Sequence, residues 1–311
     1  MMFIHEHIEF GKYTKHILSH KAAGVRLEVV PEVGACLTNL TLGRVAVLDA
    51  YTTPKEVDFN RWHKNLLLFP FPNRLKDGRY EWQGKEYYFA INDPVTNTAL
   101  HGHGTDQPMQ FLGVETSARQ ASIRFSFEHD GALEAYPFPF RVTVNYQLDV
   151  DRGFTTTMQA GNIGTQPIPF GLGWHPYFQI ATPVDEILLQ LPPCEMVGID
   201  SHMLPTGKRY AYDEFAQAKK IGATILDNCF ALVDPAPRAE VLLQHGTTQM
   251  IYWQETGLGK FNFIQLFTPP ERPSIAIEPM SCNIDAFNNE DGLVVLETGE
   301  KMEASFGVQI K

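Results

Sequence analysis

Hydrophobic and polar positions alternate with a period of two through much of the chain. In "RVTVNYQLDV", Val142, Val144, Tyr146, Leu148 and Val150 fall on one face, and "SIRFSF" repeats the pattern with Ile123, Phe125 and Phe127. This is the mark of half-buried strands. Similar short runs recur at "VRLEVV", "AEVLLQ", "QMIYWQ", "FIQLF" and "PSIAIEP", separated by turn-rich clusters such as "PEVGA", "LDVDRGF" and "GNIGTQP", so hairpins should dominate. One helix is expected at "YDEFAQAKKIG", with acidic residues at its start, lysines near its end and Gly222 as a stop. The strand signal runs from Val25 to Ile310, and no repeat, low-complexity tract or linker divides it. The pattern predicts an all-β chain, a large antiparallel β-sandwich with a few short helices, organised as one domain over residues 1–311.

Composition narrows the function classes. With 311 residues, 44% of them hydrophobic and 20% charged, the chain can bury a large core. Its formal net charge of −11 comes without any run of lysines or arginines that would track a phosphate backbone, so nucleic acid is excluded as a partner. His5, Glu6, His7 and Glu9 interrupt the N-terminal stretch where a signal peptide would need apolar residues, and no later run is long enough to span a bilayer. A cytoplasmic protein without membrane contact is expected. Cys36, Cys194, Cys229 and Cys282 are scattered and form no C-x-x-C pair. They read as buried free thiols.

Four stretches carry candidate chemistry. In "FGLGWHPYFQIATP", alternation along a strand would place Gly171, Gly173 and His175 on one face, leaving a groove over the imidazole, with Trp174 and Tyr177 as flat surfaces for a sugar ring. A hydrogen-bonded core histidine would fit the same pattern. In "PSIAIEP", Ile275 and Ile277 should face the core, while Ser274, Ala276 and Glu278 share the other face; an ordinary solvent-facing glutamate would look the same. In "FPFPNRLKDGRYEWQGKEY", Pro70 and Pro72 hold the approach to Asn73 and Arg74 extended, ahead of a turn at Lys76-Asp77-Gly78 and a hairpin continuation. Arg74 would offer a planar fork of donors to hydroxyls or a carboxylate, or form a surface ion pair. In "LHGHGTDQPMQF", the i, i+2 spacing of His101 and His103 suits two metal ligands, yet the glutamate that follows in a cupin metal site is replaced by Thr105, Asp106, Gln107 and Pro108. No metal is expected.

Taken in order, these pieces resemble the aldose 1-epimerase (galactose mutarotase) family. "NRLKDGRY" is similar to that family's Asn-Arg turn, "LHGHG" to its Leu-His-Gly element, "GWHPYF" to its His-Pro-Tyr-Phe element and "IAIEPMSCNIDAFN" to its C-terminal glutamate segment. A fifth piece, "TILDNCF", resembles the segment with its sugar-binding aspartate, here Asp227. The likeness runs from about Val25 to the C-terminus. It implies a galactose mutarotase-like supersandwich that interconverts the α and β anomers of a free aldohexose, such as glucose or galactose, with no metal or nucleotide cofactor. By position, Glu278 would be the general base and His175 the general acid, with Arg74, His101 and Asp227 holding the sugar and Asn73, Trp174, Tyr177 and Trp62 beside it.

The chemistry suits the residue types. Opening a hemiacetal requires one group to take the C1 hydroxyl proton and another to protonate the ring oxygen; rotation about C1–C2 and closure then give the other anomer. A carboxylate and an imidazole suffice. His103 stands where a second glycine is common in the family, and Asn228 follows Asp227 where another acid often stands, so substrate preference is the open point. A hexose-6-phosphate mutarotase would need a cationic site, and Lys64, Lys76 and Arg79 are not grouped by the sequence. Two further readings stay open at the level of sequence: a sugar-binding protein without catalysis, and a metal-dependent enzyme using His101, His103 and Glu278. Exposed strand edges call for cover, which makes a homodimer possible.

Overall fold

The computed structural model describes residues 2–181, 183–234 and 236–311. Its largest element is a nine-stranded antiparallel sheet, built around the hairpin-linked strands Gln120–His129, Phe140–Asp149 and Gly153–Asn162, with Lys301–Ile310 and Thr248–Glu255 continuing it. The alternation read from the sequence is realised: Val142, Val144, Tyr146 and Leu148 are fully buried on the inner face. Apart from Val150, Pro273 and Ser274 at the ends of two of them, all seven quoted runs lie in strands. An eight-stranded sheet contains, as neighbours, Asp227–Leu232, Phe263–Phe267 and Ile275–Met280. A five-stranded meander, Ile4–Phe10 to Val45–Ala46, forms a third sheet that begins ahead of the expected first strand.

One hydrophobic core joins the three sheets, drawing Leu27 and Leu37 from the meander, Tyr146 and Phe306 from the large sheet, and Leu266, Ile275 and Ile277 from the eight-stranded sheet. The Tyr146 hydroxyl donates to the Ala35 carbonyl at 2.9 Å, so the buried polar end of that side chain is satisfied across the sheets. The four cysteines are buried and free. Among the described residues, no helix is long and apolar enough to cross a membrane.

One local expectation is corrected. Residues 212–222 form no helix: the strand Pro205–Tyr212 ends there, a turn follows, and Lys219–Lys220 adds to the edge of the large sheet. Phe215 and Ile221 are buried anchors at the ends of this excursion, and their backbones bond to Leu191 and Ile187, so tertiary contacts override a weak helical pattern. The helices that do form are short, Pro54–Phe59 and Ala286–Asn289. The first has a capping box between Thr53 and Glu56 with Pro54 at its start, a signal legible in "TPKE". The expected turn at Lys76-Asp77-Gly78 forms, and the hairpin continuation follows it. Arg74–Lys76 pairs with Thr98–Leu100, while Arg79–Trp82 makes a hairpin with Lys85–Tyr88.

Candidate functional site

Three adjacent strands set the floor of the site. Register places Asp227 opposite Phe267, Gln265 opposite Glu278, and Phe267 opposite Ala276. Because Ile275 and Ile277 point into the core, the alternate residue Glu278 faces the other side of the sheet. Both faces are covered here, and Glu278 is only 2% exposed.

His175 reaches this floor from an interrupted segment. Between the two-residue strands Gly173–Trp174 and Tyr177–Phe178, its N–H donates to Leu66 and its carbonyl accepts from Asn65. The imidazole lies nearly parallel to the Tyr177 ring, centroids 5.0 Å apart, with Nε2 3.4 Å from Glu278 Oε1. The two glycines do not form the groove expected over the imidazole. A Cβ on Gly171 would stand 2.5 Å from Cys282 Sγ, and one on Gly173 2.9 Å from Pro72 Cβ, so these glycines admit close backbone packing rather than a ligand.

The side wall comes from Asn73, Arg74 and His101. Asn73 has φ +58° and His101 +65°, and the Asn73 N–H donates to His101 Nδ1 at 3.2 Å. In the neutral ring that bond leaves the proton on Nε2, making it a donor. Asn73 Oδ1 accepts from the Arg74 backbone N–H, and its Nδ2 donates to Gln265 Oε1. Gln265 in turn donates to Asp227 Oδ1 at 2.9 Å. Arg74 Nη2 faces Asp93 Oδ2 at 3.4 Å, while its Nε is buried without a partner.

These groups line a cavity of about 290 Å³ together with Trp62, His63, Asn92, Leu100 and Phe267. Burial, and next the neighbouring Asp227, push the Glu278 carboxyl well above its ordinary range; Arg74 opposes this. Burial, reinforced by His63, pulls His175 down to about 3, and burial likewise holds His101 well below its usual value. Asp227 is raised by burial. His175 Nδ1 and Glu278 Oε2 have no hydrogen-bond partner. Orphaned polar atoms on a facing acid–base pair give the cavity unmet hydrogen-bonding capacity.

Of the residues singled out from sequence, Asn73, Arg74, His101, His175, Tyr177, Asp227, Glu278 and Trp62 come together here. Trp174 does not. Its indole is fully buried, stacked 4.7 Å from Phe306, with Nε1 directed at the Asn65 carbonyl, so it has no face to offer a sugar. His103 diverges from His101 and packs against Phe127 and His129, so the pair does not chelate. Among the described residues, no three His, Cys, Asp or Glu side chains are arranged to hold a metal ion. Sequence reasoning missed His63, Asp93, Gln265 and Phe267. Gln265 left a trace, as the polar residue between Phe263 and Phe267 on one face of "FIQLF".

The aldose 1-epimerase family model matches residues 17–309. The chain belongs to the aldose 1-epimerase family. Relatives span it closely: the uncharacterized Escherichia coli protein YihR is 30% identical over 295 residues, 92% of this chain and 91% of its own. Human galactose mutarotase is 28% identical over 142 residues, covering 44% of this chain and 39% of that protein. Among solved structures, a galactose mutarotase-like protein from Clostridium acetobutylicum superposes with a TM-score of 0.88 at 18% identity, covering 99% of this chain and 98% of its own. The galactose 1-epimerase of Lactobacillus acidophilus gives 0.82 at 16% identity, covering 100% and 98%. At such identities the structural likeness establishes the fold, which is the galactose mutarotase-like one expected from the sequence.

Proposed function

We propose that this aldose 1-epimerase family member interconverts the α and β anomers of a free aldohexose such as glucose or galactose. The observation that carries the reading is the buried His175–Glu278 pair, 3.4 Å apart on the wall of a hexose-sized cavity. Glu278 takes the C1 hydroxyl proton and His175 protonates the ring oxygen; after rotation about C1–C2 the same two groups return the protons. Arg74, His101 and Asp227 hold the sugar hydroxyls, and Trp62 and Phe267 supply flat apolar surface.

The proton inventory supports this assignment. The directions of the two shifts, Glu278 up and His175 down, favour the pairing of carboxylic acid with neutral imidazole. That state holds the same number of protons as carboxylate plus imidazolium, and it is the state reached once the ring has opened. Sugar hydroxyls that donate to Glu278 favour the carboxylate, which readies the pair for opening. The charge balance favours a neutral sugar: among the described residues the cavity's one guanidinium already faces Asp93 and stands beside Asp227, which leaves no surplus cation there for a phosphate.

The test is anomerisation of α-D-glucose and α-D-galactose, followed by polarimetry or NMR near neutral pH. Wild type should accelerate at least one of them, and His175→Asn should lower kcat by about 10²–10⁴ while sugar binding persists. Unchanged turnover in the variant would remove His175 from the chemistry. Binding without acceleration would make the protein a sugar binder, and acceleration of glucose 6-phosphate alone would overturn the neutral-substrate reading.

A further inference from the structure

The cavity holds a third imidazole besides those of His101 and His175. The His63 ring lies edge-on to His101 with centroids 4.7 Å apart, and His101 lies edge-on to His175 at 5.2 Å, so the three rings form a continuous wall. Two of them are already engaged: His175 faces Glu278, and His101 accepts from the Asn73 N–H. Among the described residues, the His63 ring has no hydrogen-bond partner. A half-buried imidazole that faces a cavity with both nitrogens unmet calls for a ligand.

The backbone is bent to put the ring there. Asn60, Trp62, His63 and Asn65 have φ of +43°, +62°, +52° and +60°, a conformation that residues other than glycine keep only when their surroundings over-determine it. Here they do. Tyr51 Oη donates to the Lys64 carbonyl, Tyr177 Oη to the Trp62 carbonyl and Asn65 Nδ2 to the Asp49 carbonyl, while the Asn65 N–H donates to the carbonyl of His175 itself. The segment that carries His63 is therefore held in register with the backbone of the proposed general acid.

The state and the position of the ring both suit a sugar hydroxyl. Burial pulls the His63 pKa below its ordinary value, with Asp106 opposing, so near neutral pH one nitrogen donates and the other accepts, as a hydroxyl does in return. After burial, His63 is the neighbour that most lowers both His101 and His175, whereas Glu278 responds to Asp227 and Arg74. His63 thus stands on the histidine side of the cavity, away from the carboxyl that meets the C1 hydroxyl. Resting on the catalytic reading above, we infer that His63 hydrogen-bonds a sugar hydroxyl other than the one on C1 and thereby determines which aldoses the site accepts. Packing against His101 would need the ring alone, not its nitrogens.

The experiment is a double-substitution cycle between enzyme and sugar. It compares wild type with His63→Phe, which keeps a ring beside His101 but has no nitrogen, on the monosaccharide turned over fastest and on its 2-, 3-, 4- and 6-deoxy analogues. His63→Asn, a residue type that tolerates positive φ, carries the same comparison should the phenylalanine variant fail to fold. His63→Phe should lower kcat/KM for the parent sugar about 10-fold, chiefly through KM. One deoxy analogue should lose about as much with wild type and then stay within about 2-fold when His63 is replaced, because the bond is already gone. A parent sugar indifferent to the substitution, or an equal further loss on every analogue as a purely structural role would give, would overturn this inference alone. Wild type that accelerates no monosaccharide would overturn the catalytic reading and this one with it.

Discussion

Replacing Glu278 with glutamine should cost activity and add stability, and the two effects have separate physical origins. The amide keeps the shape of the side chain but cannot take a proton, so the loss of a positioned base should lower kcat by about 10²–10⁴, or about 3–5 kcal/mol of barrier. The stability gain follows from burial. At 2% exposure the folded carboxyl titrates well above its ordinary 4.5, which is its value in the unfolded chain. Between those two values the folded state holds a proton that the unfolded state has released, so this group's contribution to stability falls as pH rises, by about 1.4 kcal/mol per pH unit at most. Glutamine has no proton to lose. Its advantage over wild type should therefore be absent below pH 4.5 and grow as pH rises, until the folded carboxyl itself ionises. The assay pairs polarimetric turnover with thermal or urea unfolding from about pH 4 to 8, where about 1 kcal/mol moves the melting temperature of a chain this long by about 2 °C. Full activity in the variant would remove Glu278 as the base. A stability difference that stays flat across that range would show that the carboxyl is not held neutral.

Other consequences follow from particular contacts. Gln265→Leu removes the bridge between Asn73 and Asp227 and leaves both ends unsatisfied, so KM for the sugar should rise about 10-fold, a loss of about 1.4 kcal/mol; an unchanged KM would show that Asp227 is positioned without it. Trp174→Ala should destabilise the fold by about 3–5 kcal/mol, since the indole is fully buried against Phe306. The milder Trp174→Phe should keep the wild-type KM, and a raised KM there would restore Trp174 to the binding site. Gly171→Ala should cost about 1–3 kcal/mol in unfolding experiments, because its Cβ would meet Cys282 Sγ at 2.5 Å. His103→Ala, lying against His129 and Phe127, should leave kcat and KM within about 2-fold of wild type.

What the sequence determined by itself is local and periodic. Two-residue alternation placed Val142 through Leu148 on a buried face and assigned the strands, because strand geometry fixes side-chain direction with no reference to the partner. Ordered short segments pointed to the family, since Arg74, His101, His175, Asp227 and Glu278 each sit in a stretch with its own composition. Tertiary structure decided what depends on which backbones approach one another. Residues 212–222 became a sheet edge because Phe215 and Ile221 found burial there. Gly171 and Gly173 accommodate Cys282 and Pro72 where a groove was expected. Trp174 is next to His175 in sequence, so alternation turns it to the opposite face, and tertiary packing stacks it there on Phe306. Asp93 enters the cavity through a charge contact with Arg74, 19 residues away, and Gln265 through bonds to residues 192 and 38 positions away. Such contacts leave almost no trace in a period-two pattern, because distance along the chain carries no information about proximity once strands from separate hairpins share a face.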